Sequence, residues 1–282
     1  MKINKLIIDT TNSRTELCDL GVKYPTDKSP YNKIILSVGA DDKYLQNPHL
    51  KKYLVSIDEN SNFDENILVY LGKEVPNINH NNIKVLDVKP ESIIKNNVNN
   101  CIQHGEFLNS DGFDKYSDSD IIVFTDGDMT LQRNLTDDEL NVFRNLTDDD
   151  VYIGYNQSPD DTLENEYFRL HPISDSIPEQ FNGELKNIKV YNTGVVGMNK
   201  KTWIKLKNSY IEKFDSINVL FHHYAKQQWL ICYILGTENY NIIEMGYDIH
   251  NHTHYPSPLG TVNDNGIIKY YDNIVLFKHR WF

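Results

Sequence analysis

Cysteine is scarce in this chain of 282 residues, and its three copies form no pattern. Cys18, Cys101 and Cys232 are odd in number and far apart, without the paired spacing of a zinc or redox site. We therefore expect reduced thiols and exclude a cysteine-based metal or redox centre.

Long apolar runs are missing as well. No stretch approaches the roughly 20 apolar residues of a membrane span, and the mean hydropathy is −0.54. Met1 to Thr10 alternates charges without the apolar core of a signal peptide. We expect a soluble, cytoplasmic protein with no transmembrane segment and no cleaved secretion signal.

Positive charge is under-represented, because 28 Lys and Arg residues stand against 40 Asp and Glu residues, a net charge of −12. Binding to nucleic acid or to an anionic membrane needs a basic face that releases counterions, so we exclude both as partners. An anionic ligand would need a local cation. Hydrophobic residues make up 39% of the chain, which is too large a share for a disordered protein.

Short apolar runs rich in Ile and Val alternate with stretches of helical length, a pattern typical of an α/β protein with buried strands. The predicted strands are Lys33–Val38, Ile67–Leu71, Ile83–Val88, Ile121–Thr125, Val151–Gly154, Lys189–Met198 and Ile274–Lys278. The predicted helices are Pro48–Ser56, Thr136–Leu146, Lys200–Phe214 and Tyr224–Leu235. We predict one α/β domain over residues 33–282, a mainly parallel sheet flanked by helices, after an N-terminal extension over residues 1–32.

The most informative stretch is the apolar strand Ile121–Thr125, which leads into Asp126, Gly127 and Asp128. If the backbone stays extended, both carboxylates point to the same side, because alternate residues of a strand share a face. Two such carboxylates repel unless a cation lies between them, and oxygen ligands suit Mg²⁺ or Mn²⁺. The alternative is an Asp-Gly hairpin turn with solvated acids.

A second polar cluster, Ala40-Asp41-Asp42-Lys43-Tyr44, follows the first predicted strand. Small residues let a planar base approach the backbone, an Asp can accept a hydrogen bond from a uracil N3–H, and a Tyr ring can stack on the base. The alternative is an ordinary strand-to-helix turn in which an Asp caps the helix.

Two further polar segments lie in the C-terminal half. Asn192-Thr193-Gly194 precedes a predicted strand and then a helix, and Lys226 and Gln227 open the last predicted helix. Each segment alone is more often structural than functional.

Together, in this order, the four segments resemble the retaining glycosyltransferases of family eight, which have the Rossmann-like GT-A fold and include lipopolysaccharide galactosyltransferases and glycogenin. The resemblance covers Lys33 to His279. It implies that Asp126 and Asp128 hold Mn²⁺ (or Mg²⁺) on the diphosphate of the donor, and that Gln227 lies beside the sugar. It also implies nucleotide-sugar-binding roles for Ala40, Asp41, Lys43, Tyr44, Gly127, Asn192, Thr193 and Lys226.

The third metal ligand of that family is a His after the last core strand, which His279 matches. An imidazole nitrogen in an oxygen-rich shell suits Mn²⁺ better than Mg²⁺. The competing candidates are His250, His252 and His254, whose alternate spacing could present a face of imidazoles.

The chain also departs from the family pattern. The closing Gly-x-x-Lys-Pro-Trp is absent, and Arg280 is the candidate to replace its Lys at the diphosphate in a bidentate way. The family's Arg upstream of the metal motif has no counterpart in Gln103–Asn109. The acid of the family's Asp-Gln pair is Lys226 here.

The resemblance implies a metal-dependent glycosyltransferase that moves a sugar from a nucleotide-sugar donor, UDP-linked, to a hydroxyl of a glycan, lipid-linked or protein acceptor. Asp126 and Asp128 would act through the ion, whereas Gln227, an amide that cannot take a proton, favours retention of the anomeric configuration. Two other functions stay open. One is a metal-dependent nucleotidyl- or phosphotransferase, whose usual Gly-rich phosphate loop is missing here, and the other is a non-catalytic sugar-nucleotide or glycan-binding module.

Overall fold

A seven-stranded sheet forms the centre of the computed structural model, which describes residues 32–88, 111–156, 158–171, 176–177, 181, 184–217, 223–251, 261–262, 267–270 and 273–279. For residues 111, 214–217, 223–226, 261–262 and 268–270 the description is limited to the backbone. The predicted extension over residues 1–32 lies outside the described residues except for Asn32.

The described strands, in chain order, are β1 (Ile34–Ala40), β2 (Glu65–Tyr70), β3 (Ile83–Asp87), β4 (Ile121–Thr125), β5 (Met129–Leu131), β6 (Asp150–Tyr155), β7 (Tyr191–Asn199), β8 (Asn241–Met245), β9 (His250–Asn251), β10 (Thr261–Val262), β11 (Ile268–Tyr270), β12 (Asn273–Ile274) and β13 (Phe277–His279). The central sheet has the order β3-β2-β1-β4-β7-β6-β8. All its pairs are parallel except those of β7, which is antiparallel to β4 and to β6. The predicted mainly parallel α/β sheet is thus confirmed.

The described helices are α1 (Pro48–Asn60), α2 (Asp137–Arg144), α3 (Leu163–Leu170), α4 (Lys200–Ile217) and α5 (His223–Thr237). Short 3-10 turns lie at Tyr44–Gln46, Asp111–Phe113 and Leu185–Asn187. None of the helices in this part of the chain combines the length and the apolar character required to cross a bilayer.

Two apolar cores cover the two faces of the central sheet. Every residue of β1 and β4 is buried, as expected of strands packed on both sides. Ile34 and Leu36 point into the core that contains α1, α2 and the small sheet, whereas Ile35 points into the core that contains α3, α4 and α5. In the second core the ring of Trp203 packs edge-on against Phe113, 5.2 Å between centroids.

Most of the predicted helices and strands are present, with ends that differ by a few residues, and β4 has the predicted bounds. The predicted strand Ile274–Lys278 is wrong as one element, because β12 ends at Ile274 and β13 begins only at Phe277. The reason is that the two halves pair with different partners: β12 joins β11, and β13 lies between β5 and β9. The sequence pattern also missed α3 and β8.

The small sheet β5-β13-β9 adjoins the end of β4 and brings the C-terminal part of the chain to it. β13 is antiparallel to β5, with His279 opposite Met129, and parallel to β9, with Phe277 opposite His250. The strand β13 thereby places His279 next to the segment that follows Thr125.

Candidate metal centre

The segment Asp126-Gly127-Asp128 connects β4 of the central sheet to β5 of the small sheet. Its backbone turns at Gly127 and Asp128, so the expectation of an extended backbone is wrong. The alternative of a hairpin is wrong too, because β4 and β5 belong to different sheets. The two acids are only partly solvated, since their side chains are 19% and 12% exposed.

Both carboxylates converge on the imidazole of His279. Its Nε2 lies 3.3 Å from Asp128 Oδ1 and 3.7 Å from Asp126 Oδ2. One ligand atom from each of the three residues lies within 4.8 Å of the others, and His279 is buried. Two carboxylate oxygens and one imidazole nitrogen form a donor set that fits a divalent ion.

Helix α1 fixes both ends of the turn. The Tyr53 hydroxyl donates to Thr125 Oγ1 at 2.8 Å, and Thr125 Oγ1 donates to the Ser37 carbonyl oxygen at 3.0 Å. Beyond the turn, the Leu131 N–H donates to Ser56 Oγ at 3.0 Å. Tyr53 and Ser56 are three residues apart and therefore share a face of the helix. All these bonds are buried, so the turn is held in one place.

Strand β7 supports the turn from the other side. The Asp126 N–H donates to the Gly194 carbonyl oxygen at 2.9 Å. The Asn192 side chain accepts from the Gly194 N–H at 2.8 Å, within a stretch where the register between β6 and β7 shifts. A β-carbon at Gly194 would lie 3.0 Å from Cε1 of His279, so this glycine lets β7 approach the imidazole closely.

The end of β1 lies on the opposite side of the metal motif. Ala40 is buried, and the Asp41 carboxylate accepts from the Tyr44 N–H at 2.6 Å, which is the turn-capping role foreseen as the alternative. Lys43 is exposed and Tyr44 is half-buried. A β-carbon on Gly127 would lie 2.5 Å from Cε1 of Tyr44, so the Tyr44 ring packs directly on the metal motif.

Asp42, which the sequence did not single out as a site residue, secures this loop. Its carboxylate accepts from the Tyr70 hydroxyl and from the Lys73 N–H, the latter at 3.2 Å. Burial together with the Asp42 hydrogen bond raises the pKa of Tyr70 to about 12. No local pattern predicts this contact, because the partner lies 28 residues away.

The polar segment Asn192-Thr193-Gly194 lies near the start of β7. Asn192 is buried and its amide donates to Asn156 Oδ1 at 3.3 Å, whereas Thr193 is half-buried. Asn192 and Thr193 lie within β7, in agreement with the predicted strand Lys189–Met198, so the description of this segment as preceding a strand is wrong. Sequence reasoning missed Asn156, whose only local signal is its place just after a buried strand.

Gln227 is buried on α5, and this helix packs on β7. The contact includes the Cys232 thiol, which accepts from the Tyr191 N–H at 3.2 Å. Lys226 lies on the same helix, but its side chain is outside the described residues.

Among the histidines that the structure describes, His279 is the one that forms a cluster with the two carboxylates. His250 is buried nearby, with its ring centroid 5.8 Å from that of His279, but it is not part of the cluster. His252, His254, Arg280 and the segment Gln103–Asn109 lie outside the described residues.

The sequence matches no protein-family model and no curated protein. The structure is similar to that of the galactosyltransferase LgtC in complex with donor and acceptor sugar analogues, with a TM-score of 0.50, 16% sequence identity and coverage of 87% of this chain and 86% of LgtC. It is equally similar to an active-site mutant of LgtC, with a TM-score of 0.50 at 15% identity. The chain has a GT-A glycosyltransferase fold. At these identities the likeness establishes the GT-A fold alone, and activity is a separate question.

Proposed function

We propose that this protein is a metal-dependent glycosyltransferase of the family-eight type, which moves a sugar from a UDP-linked donor to an acceptor hydroxyl. The observation that carries the proposal is the convergence of Asp126, Asp128 and His279 at the carboxyl edge of a GT-A sheet. The structural neighbour LgtC was crystallised with donor and acceptor sugar analogues, which supports the same substrate classes here.

In this proposal Asp126 and Asp128 supply oxygen ligands and His279 supplies Nε2, a set that favours Mn²⁺ over Mg²⁺. When bound, a divalent ion neutralises the diphosphate of the donor and stabilises the charge that grows on it as it leaves. The protein contributes a fixed geometry, because the hydrogen bonds from α1 and β7 hold the turn before any donor arrives.

Tyr44 is proposed to stack on the base, since its ring already lies against Gly127 of the metal motif. Asp41 uses Oδ1 for the Tyr44 N–H, so we assign Oδ2 to the uracil N3–H. Ala40 is small enough to let a base approach the backbone, and exposed Lys43 supplies the local cation that an anionic ligand needs on a protein of net charge −12.

Gln227 is proposed to face the reacting sugar carbon. A glutamine-to-glutamate change defines the active-site mutant of LgtC, which supports an active-site glutamine in this fold. An amide oxygen can stabilise positive charge on the sugar but cannot act as a base at neutral pH. We therefore propose retention, with the leaving phosphate accepting the proton of the acceptor hydroxyl.

The remaining assignments are proposals on sequence grounds. Asn192, Thr193 and Lys226 would contact the sugar or the phosphates, and Arg280 would reach the diphosphate. We also propose residues 33–282 as the catalytic domain, a cytoplasmic location, and a glycan, lipid-linked or protein acceptor.

The test is release of UDP from a nucleotide sugar in the presence of Mn²⁺, with the donor chosen by a thermal-shift screen of nucleotide sugars. We expect Asp126→Asn and Asp128→Asn each to lower the rate by about 100-fold or more, because loss of a ligand costs at least as much as loss of a residue that only orients one. Asp118→Asn is the matched control, since Asp118 lies before β4, at the far end of that strand, and is 73% exposed.

The product identifies the reaction class. Free UDP supports sugar transfer, pyrophosphate would indicate nucleotidyl transfer, and donor binding without turnover would indicate a binding module. Full activity in Asp126→Asn and Asp128→Asn would contradict the assignment of the site. The anomeric configuration of the first product, read by NMR, tests retention separately.

A further inference from the structure

We infer that Arg133 is a positioning residue for the metal centre, acting through His279. The inference rests on the proposed metal site. His279 lies about 150 residues after the two carboxylates in sequence, so something other than local geometry must bring it to them. The described contacts show what does so.

The segment that precedes β13 is fastened to the two residues that follow β5. The Gln132 N–H donates to the Leu276 carbonyl oxygen at 2.9 Å, and Gln132 Nε2 donates to the Val275 carbonyl oxygen at 2.9 Å. Arg133 Nε donates to the Ile274 carbonyl oxygen at 2.6 Å. Three successive carbonyl groups are thus held just upstream of the strand that carries the imidazole.

The guanidinium of Arg133 is itself held rigidly. Its two terminal nitrogens form a bidentate pair with Glu139, at 2.7 Å to Oε2 and 2.6 Å to Oε1. They also donate to the carbonyl oxygens of Asn134 at 2.9 Å and Asp248 at 3.5 Å. The side chains of Arg133 and Glu139 are only 20% and 15% exposed. A Lys has no planar fork and cannot make this set of bonds.

Glu139 has a second role that fixes the pair in space. It accepts from the Thr136 N–H at 2.8 Å while Thr136 Oγ1 accepts from the Glu139 N–H at 3.3 Å, the predicted capping box of α2. Burial raises the pKa of Glu139, but the Arg133 hydrogen bond and the Thr136 N–H outweigh it and lower the pKa below its usual value. The carboxylate that starts the helix therefore also orients the arginine.

The register of β13 explains why such an anchor matters. β13 is three residues long, and His279 is its last described residue. Neighbouring residues of a strand point to opposite faces, so a slip by one residue would turn Lys278 toward the carboxylates in place of His279. A cation there would oppose metal binding. Pairing over three residues specifies the register weakly, and the bonds to Ile274, Val275 and Leu276 fix it.

The experiment measures the affinity of the full chain for Mn²⁺ alone, by electron paramagnetic resonance titration. We expect Arg133→Lys and Glu139→Gln each to weaken binding by about tenfold, the usual effect of removing a residue that orients a metal ligand. Glu139→Gln keeps an oxygen for the capping box and loses the charged fork. If Arg133→Lys does not fold, Glu139→Gln alone tests the positioning role.

Two control variants separate positioning from general stability. Thr136→Ala removes the hydroxyl cap of α2 but leaves the Arg133–Glu139 pair, and Arg144→Lys alters a different ion pair of the same helix, with Asp64 at 3.6 Å. We expect both to bind Mn²⁺ within twofold of the unchanged protein. In a His279→Ala background Arg133→Lys should cause no further loss, because the residue through which it acts is gone.

Unchanged affinity in Arg133→Lys and Glu139→Gln would overturn the positioning role and leave the metal site intact. An equal loss with and without His279 would also overturn it. Absence of Mn²⁺ binding by the unchanged protein would overturn the proposed metal site, and the role of Arg133 with it.

Discussion

Replacement of Gly127 by alanine tests the contact between the metal motif and Tyr44. A β-carbon there would lie 2.5 Å from Tyr44 Cε1, 3.2 Å from the Tyr44 hydroxyl oxygen and 3.2 Å from Leu50 Cδ1. Ordinary carbon contacts are about 3.5–4.0 Å, so the Tyr44 ring must move by about 1–1.5 Å. Leu50 is fully buried and cannot make room. The backbone of Gly127 is outside the left-handed region, so the substitution acts through this clash alone.

The magnitude follows from the role proposed for the ring. Stacking of a base on an aromatic side chain is worth about 1–3 kcal/mol, and a displacement of more than about 1 Å forfeits a large part of it. We expect the KM for the nucleotide sugar to rise by about tenfold, equivalent to about 1.4 kcal/mol. The measurement is UDP release as a function of donor concentration, together with calorimetric binding of UDP.

Two comparisons make this prediction specific. Gly154→Ala is the matched control, because its β-carbon would meet His250 Nδ1 at 3.4 Å, an ordinary contact. In a Tyr44→Ala background Gly127→Ala should change KM little further, since the ring that it displaces is absent. A wild-type KM in Gly127→Ala, or an equal loss in both backgrounds, would refute the reasoning.

Two further predictions concern stability. Burial raises the pKa of Glu65, but hydrogen bonds outweigh it and lower the pKa from 4.5 to about 2, the donors being Lys33, Tyr116 and Lys84. A carboxyl with a lowered pKa stabilises the fold above pH 4.5, and this contribution is lost as the pH falls toward 2. In Glu65→Gln the free energy of unfolding, measured by urea denaturation, should therefore fall by about 1–2 kcal/mol less over that window than in the unchanged protein. The same pH dependence in both proteins would contradict this. Tyr53→Phe leaves the Thr125 hydroxyl without its donor and should cost about 1 kcal/mol in the same assay at pH 7, whereas no loss would argue against the anchoring of the turn by α1.

The fold was predictable because its central strands, such as β1 and β4, are buried on both faces. The ends of a continuous apolar run such as Ile121–Thr125 coincide with the ends of the strand. The capping box at Thr136 marks the start of a helix through residues that are close in sequence. The apolar pattern failed to predict strand ends that depend on pairing with strands distant in sequence. Val275 and Leu276 are as apolar as the strand residues around them, yet a change of pairing partner interrupts the strand there.

The sequence predicts the three residues of the carboxylate–imidazole cluster, Asp126, Asp128 and His279, but not the geometry that brings them together. The sequence predicts that Asp126 and Asp128 converge through an extended backbone, whereas the chain turns and the convergence comes from anchors on α1 and β7. The contacts of Asp42 with Tyr70 and of Arg133 with Ile274 were not predictable, because these partners are distant in sequence and leave no local spacing to read.

Anomalous X-ray scattering from crystals grown with Mn²⁺ and UDP tests the central claim most directly. The account predicts one strong manganese peak within bonding distance of a carboxylate oxygen of Asp126, a carboxylate oxygen of Asp128 and Nε2 of His279, with diphosphate oxygens completing the shell. A manganese ion bound elsewhere with UDP, or UDP bound between Tyr44 and Asn192 with no ion at the three side chains, would contradict it.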